Sequence, residues 1–166
     1  MSALSLRPFL AADARRCAEV FRASIEELAA EDYDAEQREA WAAVANDEDA
    51  FADRLAGELT LVAVIDGTVA GFASLKGREE IDMLYVDPEF ARRGAGKALI
   101  DALTRLAGAR GGKRLTVDAS ETARPLFERD GFRAEKRNLV RKGDQWLANT
   151  TMTKTLATEP PPSTRH

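Results

Sequence analysis

The pair Asp66-Gly67 constrains the fold of this chain most, because it separates two apolar runs at residues 59–65 and 69–75. Both residues of the pair accept the left-handed backbone of a short turn, so the pattern predicts a β-hairpin. A further strand is predicted at residues 80–86, soon after this hairpin. The middle of the chain is therefore predicted to contribute neighbouring strands to one β-sheet.

A helix is predicted after this sheet segment, at residues 94–109, where Leu99, Leu103 and Leu106 recur on one stripe. The apolar run at residues 115–119 predicts a strand behind that helix, which gives a strand–helix–strand crossover. The other predicted elements are a strand at 4–9, a helix with Asp13 as its N-cap, helices at 35–45, 48–56 and 123–130, and a final hairpin of 133–141 with 146–156. This order predicts a mixed α/β sheet in one domain over residues 1–156, with a disordered tail at 157–166.

Composition restricts the class of protein. The 166 residues suit one domain, and 45% hydrophobic with 31% charged residues is ordinary for a globular chain. No apolar run approaches the roughly 18 residues needed to span a bilayer, so no membrane partner is expected. The N-terminus has no secretion signal and Cys17 is the single cysteine, which favours a cytoplasmic location. The net charge of −4 argues against a nucleic-acid partner.

Histidine chemistry is almost excluded, because the only histidine is His166 at the end of the predicted tail. A Ser-His-Asp or Cys-His nucleophile therefore cannot be assembled in the domain, and no metal site based on histidine is expected. Any reaction must use carboxylates, hydroxyls, backbone groups, water or a bound cofactor.

Residues 81–99 form the segment with the clearest chemical signal. A predicted strand runs into Asp87-Pro88, then into Arg92-Arg93, and then into Gly94 and Gly96 at the start of a helix. Unpaired N–H groups and the positive dipole end make such a helix start a good phosphate site. Glycines there let the backbone approach a pyrophosphate, and Lys97 adds positive charge.

Two other phosphate motifs do not fit this segment. A Walker A loop ending at Gly96-Lys97 needs glycine at 91 and Ser or Thr at 98, and both positions are alanine. A dinucleotide fingerprint starting at Gly94 needs Gly or Ala at 99, which is leucine. Taken alone, the Gly-x-Gly pair is equally compatible with a glycine-rich helix start beside solvated arginines.

The run from Pro88 to Leu99 resembles the acetyl-CoA-binding motif of the GCN5-related N-acetyltransferase (GNAT) superfamily, (Gln/Arg)-x-x-Gly-x-(Gly/Ala). The resemblance continues at residues 117–120 and at residues 123–132, which end in Gly-Phe, and the element order agrees over residues 4–156. Tyr33, Gln37 and Ala40-Trp41, with Ala123-Arg124-Pro125 and Trp146-Leu147-x-Asn149, are similar to a YafP-like subgroup.

The resemblance implies a mixed, mostly antiparallel sheet of about seven strands, with helices on both faces and a central splay between two parallel strands. It implies acetyl-CoA as cosubstrate, with no metal. The pantetheine arm would lie along the predicted strand at residues 80–86, and the thioester would enter the splay. The implied cofactor-binding residues are Leu84, Tyr85, Val86, Arg92, Arg93, Gly94, Ala95, Gly96, Lys97, Ser120 and Phe127.

A direct transfer needs a base to deprotonate the acceptor ammonium. Counting alternate positions back from Val86 places Leu84, Asp82 and Glu80 on one face of the strand. Glu80 stands where some members of the superfamily carry a catalytic glutamate, so Glu80 and Asp82 are the candidate bases. One alternative is that Glu80 begins the strand in solvent while Asp82 pairs with a basic residue. Another is that a water chain serves as the base.

Three positions depart from the superfamily pattern. Ala91 stands where Gln or Arg usually opens the motif, so Arg92 and Arg93 would carry the phosphate charge. Phe127 replaces a tyrosine thought to protonate the CoA thiolate, so water, Tyr85 or Ser120 would have to supply that proton. Ser120 also replaces an asparagine that contacts the cofactor arm, and its hydroxyl replaces only part of that hydrogen bonding.

The acceptor implied by the resemblance is an amine of a small molecule or peptide. Tyr33 and Trp41 are candidates to line its pocket, with Trp146 as a weaker one, although aromatic residues on helices more often belong to the core. Two other functions compete with acetyl transfer, namely an acyl-CoA-binding sensor without efficient catalysis and an interaction domain. The sequence leaves the oligomeric state open, a homodimer included.

Overall fold

The Asp66-Gly67 turn organises the centre of the sheet in the computed structural model, which describes residues 3–156. Asp66 has φ 52° and Gly67 has φ 80°, the two left-handed residues of a type I′ turn. The turn pairs Ile65 with Thr68 and joins two antiparallel strands, β2 (Leu59–Ile65) and β3 (Thr68–Lys76). The predicted hairpin is therefore confirmed.

The remaining elements follow the predicted order. The other strands are β1 (Leu4–Pro8), β4 (Glu80–Val86), β5 (Arg114–Ser120), β6 (Arg133–Lys142) and β7 (Gln145–Thr155). The helices are α1 (Ala14–Ala23), α2 (Ala35–Ala42), α3 (Glu48–Gly57), α4 (Ala95–Ala109) and α5 (Arg124–Arg129). The strands form one seven-stranded sheet in the order β1-β2-β3-β4-β5-β7-β6, and only the β4–β5 pair is parallel. The predicted fold class is confirmed.

The first helix begins differently from the prediction. A 3-10 turn at Ala11–Asp13 precedes α1, and the Asp13 side chain makes no cap hydrogen bond at the α1 N-terminus. Asp13 instead accepts a hydrogen bond from the Leu10 N–H at 2.8 Å and pairs with Arg7. Asp13 is therefore the N-cap residue of α1 by position, as predicted, but its carboxylate caps the 3-10 turn that precedes the helix.

Two apolar clusters pack on opposite faces of the sheet. On one face α4 and α5 cover residues of β3, β4 and β5, and Leu99, Ile100 and Leu103 of α4 are fully buried. On the other face α1 and α3 cover Phe72 and Met83 with side chains that include Phe21 and Phe51. Complete burial of a Leu, Ile or Phe side chain stabilises a fold by about 1.5–3 kcal/mol, so these two layers hold the central strands in place.

The parallel strands β4 and β5 separate soon after they meet. Their register contains only the pairs Glu80 with Thr116 and Ile81 with Val117. Beyond this point β5 continues to pair with β7 and β4 continues to pair with β3. The edge of β4 that faces β5 is therefore open over residues 82–86, as the predicted splay requires.

A β-bulge interrupts β4 at Asp82. In the register with β3, Ser74 pairs with Met83 and Leu75 pairs with Ile81, so Asp82 is the extra residue. The bulge breaks the strict alternation of faces, since an inserted residue re-aims the side chains around it. Leu84 packs with the α4 cluster, whereas Asp82 contacts α3. The prediction that Leu84, Asp82 and Glu80 share one face was therefore wrong.

The predicted tail at residues 157–166, His166 included, lies outside the described residues. Within residues 3–156 no helix combines the length and apolarity that crossing a membrane requires.

Candidate active site

A cavity of about 260 Å³ opens between the separating ends of β4 and β5. The side chains that the sequence singled out and that the structure brings to its wall are Tyr33, Trp41, Asp82, Leu84, Tyr85, Ser120 and Phe127. Residues that sequence reasoning missed, among them Arg54, Asp118, Lys142 and Asn149, also line it. The cavity therefore collects groups from both halves of the chain at the splay.

The backbone that connects β4 to α4 is shaped by left-handed residues. Arg92 has φ 64° and Gly94, the N-cap residue of α4, has φ 88°. A left-handed conformation costs a residue other than glycine about 1–2 kcal/mol, so Arg92 is a strained position of the kind that clusters at functional sites. A Cβ atom built on Gly94 would meet no atom within 4 Å. Open space therefore lies beside this turn.

The start of α4 has N–H groups without partners in the helix. The first backbone bond of the helix runs from the Ala98 N–H to the Gly94 carbonyl at 3.0 Å. Among the described residues, no acceptor is found for the N–H groups of residues 94–97, as expected for the first turn of a helix. Gly96 is buried against β4 and α5, where an added Cβ would lie 2.8 Å from Leu126 and 3.8 Å from Val86. The helix start is thereby fixed next to the open end of β4.

The basic residues around this helix start differ in their contacts. Arg92 is exposed. Arg93 is also exposed, lies 3.6 Å from the Asp66 carboxylate and stacks over the Phe90 ring at 5.5 Å. The Lys97 ammonium lies 3.0 Å from one carboxylate oxygen of Asp101 and 3.6 Å from one of Asp130. Carboxylates therefore already neutralise much of the Lys97 charge.

An ion pair between Arg16 and Asp87, which no sequence motif indicates, holds the turn before this helix. The Arg16 guanidinium of α1 donates to the Asp87 carboxylate at 2.6 Å and to the Val69 carbonyl at 3.1 Å. The Asp87 side chain is 8% exposed, and it accepts the Glu89 N–H at 2.9 Å. The contact joins residues 71 positions apart, which no local pattern reveals. Arg16 and Asp87 thus anchor the turn that leads to Gly94.

The two candidate bases occupy different places. Asp82 lines the cavity and receives two hydrogen bonds from the Arg54 guanidinium, both at 2.8 Å. Burial opposes ionisation of Asp82, but hydrogen bonds from Arg54 and from the neighbouring Glu58 carboxyl outweigh it and lower its pKa. Glu80 is exposed and lies apart from the cavity, beside Lys76 and Arg114. In the structure Glu80 is solvated and Asp82 is ion-paired with Arg54, as the alternative interpretation of the sequence expected.

Glu58 is an acidic neighbour that sequence reasoning missed. It follows the last residue of α3, and its carboxyl interacts with that of Asp82 closely enough to shift the pKa of both groups. Burial, followed by the interaction with Asp82, raises the pKa of Glu58 to about 7. The site therefore contains two acidic groups whose pKa values are displaced in opposite directions.

The hydroxyl of Tyr85 is a neutral proton donor that lines the cavity together with Asp82. It accepts a hydrogen bond from the Trp41 indole N–H at 3.2 Å. Burial raises the pKa of Tyr85 to about 12, so the phenol keeps its proton at neutral pH. Within residues 3–156 no acceptor is found for that proton. Tyr85 can therefore donate a hydrogen bond into the cavity.

Tyr33 ties the two sides of the cavity together. Its hydroxyl donates to the Ala148 carbonyl of β7 at 2.5 Å and accepts the Glu121 N–H, just beyond β5, at 3.0 Å. Its ring packs against Trp41 at 5.2 Å, and the residue is 5% exposed. The hydroxyl is thus occupied by backbone groups, and only the ring surface faces the cavity. Trp146 is 56% exposed and is not among the residues lining the cavity.

Ser120 and Phe127 close the β5 side of the cavity. The Ser120 hydroxyl accepts the Ala123 N–H at 3.1 Å and so caps the turn before α5. Phe127 is 1% exposed and packs against Phe132 at 5.1 Å. Its ring has no proton to donate, whereas the Ser120 hydroxyl still has one.

Cys17 takes no part in this site. It is fully buried in the α1 layer, and burial raises the pKa of its thiol to about 12. Within residues 3–156 no group of three or more His, Cys, Asp or Glu side chains is arranged to hold a metal ion.

Comparisons with known proteins agree with this geometry. The acetyltransferase (GNAT) domain family matches residues 29–156. The uncharacterized N-acetyltransferase YafP of Escherichia coli K12 is 35% identical over 149 residues, which cover 90% of this chain and 94% of YafP. The crystal structure of a GCN5-related N-acetyltransferase from Rhodopseudomonas palustris has a TM-score of 0.91 and 56% identity, covering 94% of this chain and 98% of that one.

A more distant structure shares the fold. The PaiA N-acetyltransferase of Thermoplasma acidophilum in complex with coenzyme A has a TM-score of 0.75 at 20% identity, covering 92% of this chain and 99% of that one. The chain belongs to the GNAT acetyltransferase family. It is therefore an acyltransferase, and the resemblance to YafP that the sequence suggested is confirmed.

Proposed function

We propose that the chain transfers an acetyl group from acetyl-CoA to the primary amine of a small molecule or peptide, by direct attack of the amine on the thioester. The observation that carries the proposal is the first turn of α4, where the N–H groups of residues 94–97 have no acceptor among the described residues, Gly94 borders open space, and the unpaired edge of β4 lies close by. A diphosphate fits the helix start, and an extended pantetheine arm fits the strand edge. The PaiA structure of the same fold holds coenzyme A.

The cofactor would be held mainly by backbone groups. The N–H groups of residues 92–97 would bind the pyrophosphate, with Arg92 and Arg93 adding charge, and Leu84 and Val86 would bind the pantetheine amides. Ala95 and Gly96 are buried, so their contribution is the peptide group. Lys97 is paired with Asp101 and Asp130, so its side chain would have to leave these carboxylates to contact the pyrophosphate.

The reacting groups would then meet in the cavity. Asp82 is the carboxylate placed to accept the ammonium proton, because it lines the cavity and Glu80 does not. The departing thiolate would take a proton from Tyr85, whose raised pKa keeps the phenol protonated, with Ser120 as the other hydroxyl on the wall. The acceptor would lie against the rings of Tyr33 and Trp41, between α2 and the β5–β7 side.

Gly94→Ala tests the cofactor site. A left-handed alanine is strained by about 1–2 kcal/mol, and the unliganded turn can relax to avoid that strain. Acetyl-CoA binding would restore the strained turn, so we expect its Kd, measured by calorimetry, to rise about tenfold.

Gly77→Ala is the matched control for this substitution. Gly77 also has a positive φ, 66°, and an added Cβ there would meet nothing within 4 Å. We expect the Kd for acetyl-CoA to stay unchanged in this control, because Gly77 lies outside the assigned pyrophosphate site. Equal Kd values for Gly94→Ala and the native chain would refute the assigned pyrophosphate site.

A second candidate function is an acyl-CoA sensor with weak catalysis, and phenylalanine at position 127 is the observation that favours it. Thiol release from acetyl-CoA separates the two functions. A panel of amines for this assay should contain a polyamine, an amino-sugar phosphate, free lysine and a peptide with an N-terminal alanine. Turnover on any of these amines rejects the sensor function. Micromolar binding of acetyl-CoA with no turnover on any of them supports it.

The cytoplasmic location stays a prediction from the sequence, and the oligomeric state, which the sequence leaves open with a homodimer included, is the second property to test. Size-exclusion chromatography with light scattering at several protein concentrations tests the second of these.

A further inference from the structure

Two acidic side chains lie together where α3 ends beside the bulge of β4. Asp82 is the inserted residue of the bulge, and its side chain is 12% exposed. Glu58 stands at the C-terminal end of α3, and its Oε1 atom is buried without a hydrogen-bond partner among the described residues. Two carboxyl groups that act on each other this strongly cannot both ionise freely, so the pair retains a proton over a wide pH range.

The charged and polar groups around this pair come from every element packed against it. From α3, Arg54 makes two hydrogen bonds to Asp82. From β3, the buried Ser74 hydroxyl lowers the pKa of Glu58 without forming a hydrogen bond among the described residues, and the charge of Lys76 acts on Asp82. Tyr85 is the other titratable group nearby on β4, and it is neutral. Arg54 stabilises the charge of Asp82, which leaves Glu58 as the member of the pair that holds the shared proton.

The pair also connects two separate openings in the protein surface. Asp82 lines the cavity between β4 and β5, whereas Glu58 lines a second cleft of about 420 Å³ beside β1, β2 and the end of α3. The walls of this second cleft are mostly apolar, and Glu58 is the one charged residue on them within the described part of the chain. A proton that reaches Glu58 can therefore leave without passing through the acceptor site.

We propose that Glu58 is the second half of the base: Asp82 takes the proton of the acceptor ammonium, and Glu58 passes it on to the second cleft. Glu58 acts through Asp82 and touches no substrate, so it is a positioning and relay residue. The inference rests on the proposed acetyl transfer. It also explains how an aspartate held in an ion pair with Arg54 can serve as a base near neutral pH, because the ionised Asp82–Glu58 pair takes up its first proton there.

The proton and electron balance of the step is simple. The ammonium loses one proton to the Asp82 carboxylate, and the freed nitrogen lone pair forms a bond to the thioester carbon. When the C–S bond breaks, its electron pair leaves on the CoA sulfur, which takes a proton from Tyr85, and the amide nitrogen loses its second proton to restore the Tyr85 phenol. The proton on Asp82 moves to Glu58 and then to water at the second cleft. The products are the acetylated amine, CoA thiol and one released proton.

Glu58→Gln tests the relay through the pH dependence of turnover. With an amine that the native enzyme acetylates, we expect the native rate to rise with an apparent pKa near that of Glu58, about 7. In Glu58→Gln the apparent pKa of this rise in rate should fall by at least one unit. The kcat should fall at least tenfold, while KM for acetyl-CoA stays unchanged. Asp53→Asn, an exposed carboxylate on the same helix, is the control and should keep the native profile.

A second measurement does not depend on activity. A native Glu58 pKa of about 7 lies above its ordinary value of 4.5, so the folded chain binds the extra proton between these values. Native stability should therefore fall as pH rises through this window, and it should stay flat there in Glu58→Gln. Urea unfolding at pH 5, 6, 7 and 8 measures the slope.

The results separate failure of the relay from failure of the proposed function. An unchanged pH–rate profile in a folded, active Glu58→Gln would overturn the relay and leave acetyl transfer standing. The relay is overturned in the same way if the native chain shows no decline in stability between pH 5 and 7. Absence of thiol release by the native chain on every amine would instead overturn the proposed function, and the relay with it.

Discussion

Tyr33→Phe is the substitution that best distinguishes a structural clamp from a substrate contact in the cavity. The hydroxyl satisfies two backbone groups at once, the Ala148 carbonyl and the Glu121 N–H. Removing it leaves both groups unpaired beside a ring that is 5% exposed. An unsatisfied buried polar group costs about 1–3 kcal/mol. We therefore expect a loss of about 2 kcal/mol, which for a chain of this length lowers Tm by about 4–8 °C.

Differential scanning calorimetry measures the change, and Thr104→Val is its control. The Thr104 hydroxyl donates to the Ile100 carbonyl at 2.7 Å, but in an α-helix that carbonyl already has a backbone partner. We expect this control to change Tm by less than about 2 °C, because no buried group loses its only partner.

The acceptor kinetics of Tyr33→Phe complete the test. Because backbone groups occupy the hydroxyl, KM for the acceptor amine should stay within about twofold of the native value when measured well below Tm. A native Tm combined with a KM raised tenfold or more would refute the clamp and show that the hydroxyl contacts the acceptor.

Three further predictions concern the surroundings of the site. Arg16→Met leaves the buried Asp87 carboxylate without its cation, so Tm should fall and the Kd for acetyl-CoA should rise, both measurable by calorimetry. The Cys17 thiol should resist Ellman's reagent in the native state and react as one equivalent in urea. Hydrogen bonding from Arg7 lowers the pKa of Asp13, so its stabilisation should be complete above the unfolded value, about 3.9, and lost as pH falls through the native value. Arg7→Met should remove that part of the acid decline in urea titrations.

Local patterns predicted the parts of the fold that depend on neighbouring residues. The Asp66-Gly67 turn, the buried stripe of α4 and the glycine at its N-terminus all follow from conformational preference and apolar spacing. Each of these features is decided within a few residues of the chain. For that reason the hairpin, the crossover helix and the turn before it lie where the sequence predicts them.

Contacts between distant segments could not be predicted in this way. Regular alternation would place Asp82 on the same face as Leu84, and the bulge changes that relation. The partners of Asp82 come from α3 and from the residue after it, and no periodicity links them to β4. The aromatic character of Tyr33 indicates a place in the cavity wall, but its two backbone partners lie 88 and 115 positions away. Such pairs are decided by tertiary packing.

The bulge at Asp82 makes the reactive carboxylate of β4 an inserted residue, separate from the residues of the strand that pack in the core. On either side of the inserted residue the strand keeps its alternation, with Ile81 and Leu84 facing α4 and with Met83 facing α1. Removing residue 82 would therefore join two segments that are already in phase with β3. Residue 82 is an insertion in the strand, so it can be substituted or deleted while every core position keeps its neighbours. A fold that accommodates its reactive carboxylate as an insertion leaves later sequence change free to alter the reaction without rebuilding the scaffold.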